Sequence, residues 1–234
     1  MPESDGSPAK AAQPIRDAAT LILYRRRGDG RLEVLLGERH GASAFMPNRF
    51  VFPGGRLDPA DYRIRPARPL SPVSLARLGR SSRTGPRKAV ALALAAIRET
   101  FEESGLRLAV PSHQPVTPPS PAWAAFCEDG LAPDPGPLLY ICRAVTPPGR
   151  PRRFDARFFA APAEAAAGEL RPSAELDKLA WIAPEDTGSL LLPGITQYVL
   201  AHLAAWLTPD ALDDPARQVP FHFMRHGRRR VELE

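Results

Sequence analysis

The chain has 234 residues, a formal net charge of +5 and two cysteines. That length supports a substantial hydrophobic core, and two cysteines without a CxxC pairing argue against a disulfide framework and favour a reducing compartment. No apolar run approaches the ~20 residues of a membrane-spanning helix, and residues 1–13 lack the pattern of a signal peptide, so we expect a cytoplasmic protein with no membrane partner.

The positive charge is concentrated in one stretch, residues 62–88. This stretch holds eight basic residues and no acid: Arg63, Arg65, Arg68, Arg77, Arg80, Arg83, Arg87 and Lys88. Two interpretations stay open, a patch that attracts an anionic substrate and a solvated loop. Nucleic acid ranks below small molecules as a partner, because Tyr62 is the only aromatic residue interleaved with these charges.

The first half of the chain predicts a hairpin and a helix. Two apolar strands, 18–24 and 33–37, flank turn residues at Gly28-Asp29-Gly30. A short strand at 50–52 then leads into Gly54-Gly55. After the basic stretch, the run AVALALAAIRETFEES from Ala89 favours a helix that Gly105 ends.

The second half predicts more strands and a closing helix. Five prolines in residues 111–121 indicate a loop. The strands expected are 106–110, 138–145, 154–160 and 179–182, with a short helix at 123–128 and a longer one at 195–207. This mixture predicts an α/β (α+β) fold in which a mixed sheet lies between helical layers.

Three carboxylates crowd the end of the central helix. Glu99 stands three and four positions before Glu102 and Glu103, so all three side chains cover one patch, where they repel. The negative end of the helix dipole disfavours each of them further. A hard divalent cation such as Mg²⁺ accounts for this arrangement, and a solvated acidic helix end is the alternative.

The segments around these acids resemble the Nudix box, whose pattern is Gly, five residues, Glu, seven residues, then Arg-Glu-aliphatic-any-Glu-Glu-any-Gly-aliphatic. The second half matches at Arg98, Glu99, Glu102, Glu103, Gly105 and Leu106, and departs at Thr100. The first half matches at Gly55, with Asp61 in place of the Glu. Arg98 follows Gly55 by 43 positions where the pattern has 14, so 29 extra residues split the box.

The resemblance covers about residues 18–207 and implies a Nudix-type α/β/α sandwich. We therefore expect a flexible N-terminus at 1–15, a Nudix hydrolase domain at 16–207 with an insertion at about 62–88, and a C-terminal extension at 208–234. For the extension, a lid over the substrate and a contact in a homodimer are both open.

The resemblance also implies roles for individual residues. Mg²⁺, which Mn²⁺ can replace, is expected on the metal ligands Gly55, Glu99, Glu102 and Glu103. The catalytic set is Glu102, Arg98 and Glu99, with Arg98 paired to Asp61 or Asp58. Arg39 and Arg56 are the expected substrate-binding residues. Glu102 is favoured as general base, and Glu164, Glu169 and Glu175 are alternatives.

The split box is similar to the branch that contains coenzyme A and acyl-CoA diphosphatases. A coenzyme A signature of that group matches at Leu35, Leu36 and Arg39 and in its spacing to Phe52-Pro53-Gly54-Gly55. It fails at Gly37, His40, Ala44 and Asn48, which replace Thr, a small residue, Arg and Gly.

These features predict a Mg-dependent pyrophosphohydrolase that cleaves a nucleoside diphosphate linked to another group, with coenzyme A or acyl-CoA among the substrates considered. Two alternatives remain: a Nudix-fold module that senses a nucleotide without catalysis, and a Nudix hydrolase that processes RNA through its arginine-rich insertion.

Overall fold

The structure is a computed structural model that describes residues 13–43, 46–80, 84–112 and 114–234. Most of the expected N-terminal segment, together with Ala44 and Arg83, lies outside the described residues. None of the helices in the described part of the chain combines the length and apolar character needed to span a bilayer.

A large mixed sheet forms the centre of the protein. Its strands are β1 (Ile15–Arg26), β2 (Leu32–Arg39), β3 (Phe50–Val51), β4 (Gly54–Arg56), β7 (Leu139–Val145), β8 (Arg153–Pro162), β9 (Leu176–Ile182), β10 (Pro220–Arg225) and β11 (Arg228–Leu233), while β5 (Ala109–Pro111) and β6 (Leu131–Pro133) form a separate pair. The order across the main sheet is β11-β10-β7-β8-β1-β2-β3, with β4 also on β1 and β9 also on β2. β1 is parallel to β8, and β10 is parallel to β7.

Helices cover both faces of this sheet. They are α1 (Pro72–Gly79), α2 (Pro86–Ser104), α3 (Pro121–Phe126), α4 (Gly194–Trp206) and α5 (Pro209–Asp213). Successive residues of β1 point to opposite faces, as a strand requires. Leu21 and Leu23 pack in the same cluster as α1, α2 and α3, whereas Ile22 packs with α4. The predicted α/β/α sandwich with a mixed sheet is thus confirmed.

Most predicted elements lie close to their expected positions. The hairpin is present, with Tyr24 opposite Val34, and α2 ends at Gly105, whose φ of 79° is left-handed. The strand predicted at 179–182 is β9, which begins at Leu176 rather than Leu179. In the C-terminal extension, β10 and β11 continue the main sheet beyond β7.

The basic insertion is ordered rather than a solvated loop over much of its length. It contains α1, whose Ser71 side chain accepts the Ser74 N–H as an N-cap. Arg77 on α1 is only 2% exposed. Its guanidinium donates to the backbone carbonyls of Asp214, Ala211 and Tyr140 at 2.5–3.3 Å. Arg77 thus ties the insertion to the sheet and to the α5 region.

We predict that Arg77→Met lowers the free energy of unfolding by about 3 kcal/mol, because several buried carbonyls lose their donor. Arg80→Met is the matched control, since exposed Arg80 also donates to two carbonyls, of Arg217 and Pro215, that water can reach. That variant should lose about 0.5 kcal/mol or less. Urea unfolding measures both, and equal losses would contradict the structural role of Arg77.

Candidate active site

The C-terminal turns of α2 hold the three glutamates against the sheet. The alanine-rich face of α2 is buried, which fixes the helix in place. The side chains then differ in exposure: Glu103 is 3% exposed, the Glu99 side chain is 12% exposed, and that of Glu102 is 36% exposed. Glu102 is therefore the member of the trio that faces solvent.

The Gly54-Gly55 segment lies directly against these acids. β4 pairs with β1 and sets Gly55 opposite Ala19. The Gly54 N–H donates to Oε2 of Glu103 at 2.8 Å. A Cβ atom on Gly55 would lie 2.4 Å from the Glu99 carboxyl carbon. A side chain at residue 55 would therefore displace the Glu99 carboxylate from this position.

Arg98 links the acidic helix to the segment that follows the glycines. Its guanidinium forms a two-pronged ion pair with Asp61 at 2.8 and 3.0 Å. It also donates to Glu99 at 2.9 Å and to Glu102 at 3.2 Å, and to the carbonyl of Arg56 at 3.1 Å. Of the two partners considered from sequence, Asp61 is the one the structure places on Arg98.

The Asp61 carboxylate is buried, and both of its oxygens accept hydrogen bonds. It is 1% exposed, and beyond Arg98 it accepts the Trp123 indole N–H at 3.1 Å and the Asp58 backbone N–H at 2.8 Å. Asp58 instead caps the short 3-10 helix 59–62. Trp123 was not identified from sequence as part of the site, and no local pattern points to it, because it lies 62 positions from Asp61.

Burial raises the pKa of each glutamate. Removal from water raises the pKa of Glu99 to about 7, against the lowering effect of Arg98. Removal from water raises the pKa of Glu103 to about 8, and its hydrogen bond to Gly54 opposes that rise. The pKa of Glu102 is raised for the same reason. Arg98 is paired with Glu99 and Glu102 but not with Glu103, and a further cation at this site would favour the ionised form of all three glutamates.

The donor atoms fit a hard divalent cation. Among residues 13–43, 46–80, 84–112 and 114–234, no three acidic, histidine or cysteine side chains already surround a common point as a metal site. Oε1 of Glu103 is nevertheless buried without a hydrogen-bond partner in the described structure. An orphaned carboxylate oxygen beside Glu99 and the Gly55 backbone is the oxygen-only chemistry that Mg²⁺ favours.

The two predicted substrate-binding arginines lie on different sides of the acids. The positive charge of Arg39 acts on Glu103, and Nη2 of Arg39 approaches Glu175 at 3.4 Å. Nε of Arg39 is buried and has no partner among the described residues. Arg56 follows Gly55 directly, is exposed, and lines an open groove on the side of the insertion.

The alternative general bases are separated by the fold. Negative charge on Glu175 acts on all three helix glutamates, so this loop residue lies near the site. Glu164 instead acts on Tyr24, and exposed Glu169 pairs with Arg171. The structure therefore brings Glu102 and Glu175 to the acidic cluster, while the backbone of Glu169 lies against Gly105 at the end of α2.

Two departures from the coenzyme A signature have physical causes in this chain. A Cβ atom at Gly37 would lie 2.9 Å from Leu179 and 3.0 Å from Leu176, so a larger residue collides with β9. Asn48 has a φ of 55°. Asparagine adopts this left-handed conformation more readily than most other non-glycine residues, and glycine adopts it most readily of all. His40 accepts the Ala42 N–H, and Ala44 lies outside the described residues.

Comparisons with known proteins agree with this geometry. No protein-family model matches the chain. The chain is 34% identical over 137 residues to an acyl-coenzyme A diphosphatase NUDT19 of Xenopus laevis, covering 42% of this chain and 36% of the relative. The Gallus gallus protein of the same name is 33% identical over 135 residues, covering 46% and 36%. The chain thus spans about a third of these curated relatives.

A solved structure provides the more extensive match. The NUDIX hydrolase from Alicyclobacillus acidocaldarius is 32% identical, superposes with a TM-score of 0.61, and the match covers 82% of this chain and 92% of that one. With the split box, the sandwich fold and this degree of identity over most of both chains, the protein belongs to the Nudix hydrolases.

Proposed function

We propose that this protein is a Mg²⁺-dependent hydrolase that cleaves the pyrophosphate bond of a nucleoside diphosphate linked to another group. The observation that carries the proposal is the cluster of three glutamates with raised pKa values against the Gly54-Gly55 segment, two of them largely buried. Holding like charges together out of water is costly. A divalent ion and a polyphosphate substrate give this arrangement a function.

The metal would be held by Glu99, Glu102, Glu103 and the Gly55 carbonyl, and Mn²⁺ should replace Mg²⁺ there. When bound, such an ion offsets charge on phosphoryl oxygens and acidifies a coordinated water. Arg98 positions Glu99 and Glu102 through its hydrogen bonds. Arg39 and Arg56 flank the acids and are proposed to hold the phosphates.

Glu102 is our proposed general base. It is the most exposed of the three acids, so an attacking water can reach its carboxylate. Its raised pKa moves it toward the working pH, where a carboxylate accepts a proton more effectively. Glu175 is the second candidate, because it lies near the same acids on a different element.

Coenzyme A and acyl-CoA are the proposed first substrates. The support is the name of the two curated relatives and the position of Arg39 and Asn48 ahead of the glycines. Because the chain spans about a third of those relatives, the substrate is a proposal about this chain and is not transferred from them.

We predict that Glu102→Gln and Glu103→Gln each lower kcat/KM for the preferred substrate roughly 10²- to 10⁴-fold, because each removes an ionisable oxygen donor with little change in shape. Products from coenzyme A, NADH, ADP-ribose, a dinucleoside polyphosphate and capped RNA are identified by mass. Glu185→Gln is the control, since Glu185 is exposed and pairs with Arg31.

Three outcomes of this assay would overturn the proposal. Wild-type turnover in both active-site variants would remove the mechanism. Tight nucleotide binding without turnover at millimolar Mg²⁺ would favour a sensing module, and cleavage of RNA alone with steep salt dependence would favour the RNA-processing alternative.

We predict that the apparent affinity for Mg²⁺ rises on the order of 1,000-fold from pH 6.0 to pH 8.5. Glu99 and Glu103, with pKa values of about 7 and about 8, are largely protonated at the lower pH and must ionise before they bind a cation. Calorimetry at several pH values measures this, and Glu103→Gln should flatten the dependence. An affinity independent of pH would contradict the proposed ligand set.

A homodimer through β11 is our proposal for the partner surface. β11 is exposed along its length and pairs only with β10 among the described strands. Antiparallel pairing of two copies about Val231 sets Arg230 of each copy opposite Glu232 of the other, which is favourable.

A cytoplasmic location is also proposed, and the two buried free cysteines, Cys127 and Cys142, support it.

Light scattering at micromolar concentration should therefore give the mass of a dimer. Arg230→Glu places like charges opposite each other and should shift the protein toward monomer, while the double variant Arg230→Glu with Glu232→Arg restores the complementary pairs and the dimer. A monomeric wild type, or a double variant no better than the single one, would reject this interface.

A further inference from the structure

A groove rich in arginine opens beside the proposed active site. It has a volume of about 970 Å³ and is lined by the start of β1, the segment after β4 and both ends of the insertion. Four arginines contribute to it: Arg16, Arg56, Arg63 and Arg87. Ligand pockets for molecules of nucleotide size span roughly 300 to 1,000 Å³.

These arginines are not used by the fold. In the described part of the chain, Arg16 and Arg56 have no side-chain hydrogen bond or ion pair, and Arg63 has only a 3.4 Å contact to the Pro119 carbonyl. The guanidinium of Arg87 lies 5.6 Å from the centre of the Tyr62 ring. By contrast, Arg77 donates to three backbone carbonyls and Arg68 is paired with Asp134.

The acids of the groove do not cancel this charge. Asp17 is engaged by Arg157 at 2.8 Å and by Lys88 at 2.6 Å. Oδ1 of Asp58 accepts the Ala60 N–H at 2.8 Å as the cap of the 3-10 helix. The groove therefore presents four guanidinium groups to a ligand. Of its two acids, Asp17 is paired with other basic residues, and one oxygen of Asp58 accepts a backbone N–H.

The groove is continuous with the proposed metal site through the backbone. Arg56 follows the proposed metal ligand Gly55, and its carbonyl accepts a hydrogen bond from Arg98. Arg63 and Arg87 stand at opposite ends of the insertion, 24 positions apart in sequence, and the fold brings both to one groove. Arg56 is the residue that connects the groove to the acidic cluster, since none of the three glutamates lines the groove itself.

We propose that this groove binds a phosphomonoester of the substrate that is separate from the pyrophosphate being cleaved. This inference rests on the proposed function and narrows it to substrates that carry an additional phosphate, as coenzyme A does on its ribose. A phosphate dianion accepts several hydrogen bonds from converging guanidinium groups. A groove of limited volume with one aromatic ring suits a single nucleotide better than a strand of RNA.

The test compares coenzyme A with 3′-dephospho-coenzyme A, which differ by one phosphomonoester. Arg63→Gln and Arg87→Gln should each raise KM for coenzyme A about fivefold, and the double variant about 20-fold, with kcat nearly unchanged. KM for the dephospho compound should change by less than about twofold in every variant. Arg65→Gln is the control, because exposed Arg65 lies on the same insertion outside the groove.

A binding measurement keeps this inference separate from the proposed function. Calorimetry without divalent ions compares adenosine 3′,5′-bisphosphate with adenosine 5′-monophosphate, and wild type should bind the bisphosphate about tenfold more tightly. The double variant should lose that preference while its circular dichroism and melting temperature match wild type.

The possible outcomes are distinct. If wild type cleaves neither coenzyme compound but retains the bisphosphate preference, the proposed function fails and the groove stands. If it cleaves both and the variants change the two KM values equally or not at all, the groove assignment fails. Weakened binding to RNA alone in the double variant would also overturn the small-molecule ligand.

Discussion

The arrangement of the site depends on one buried ion pair, that of Arg98 with Asp61. Removing both charges from water is costly, so the pair is favourable only if the remaining donors and acceptors are satisfied. The Trp123 indole N–H and the Asp58 backbone N–H donate the remaining hydrogen bonds to Asp61. The Arg56 carbonyl accepts a further hydrogen bond from Arg98. Two segments distant in sequence, residues 56–61 and the helix that carries Trp123, are thereby fixed near the end of α2.

This constraint leaves an excess of negative charge, and that excess suits a cation. Arg98 reaches Glu99 and Glu102, but no described arginine or lysine forms an ion pair with Glu103. The pKa of Glu103 is raised to about 8 because its carboxyl is buried. The fold therefore holds a group that is unfavourable when ionised, as functional sites often do at some expense of stability. The hydrogen bond from the Gly54 N–H orients the Glu103 carboxylate.

The sequence was sufficient where the controlling interactions are local. Helix formers, the stop at Gly105 and the spacing of Glu99, Glu102 and Glu103 are all read from neighbours in the chain, and α2 follows that pattern. The structure of the basic insertion could not be predicted from neighbouring residues in the same way. Whether an arginine is buried or free depends on its partners, and the carbonyls that hold Arg77 come from residues more than 60 positions away.

The coenzyme A signature also shows where prediction from sequence alone is limited. The sequence departs from the signature at Asn48, yet Asn48 has a φ of 55°, in the left-handed region that glycine adopts most readily. The bulge in the β2 to β9 pairing between Leu36 and Glu38 then sets Arg39 opposite Leu176, next to Glu175. Register, rather than residue identity, brings that arginine and that acid together, and register is a property of the whole sheet. A motif is therefore better judged by the backbone that its residues must adopt than by the residues themselves.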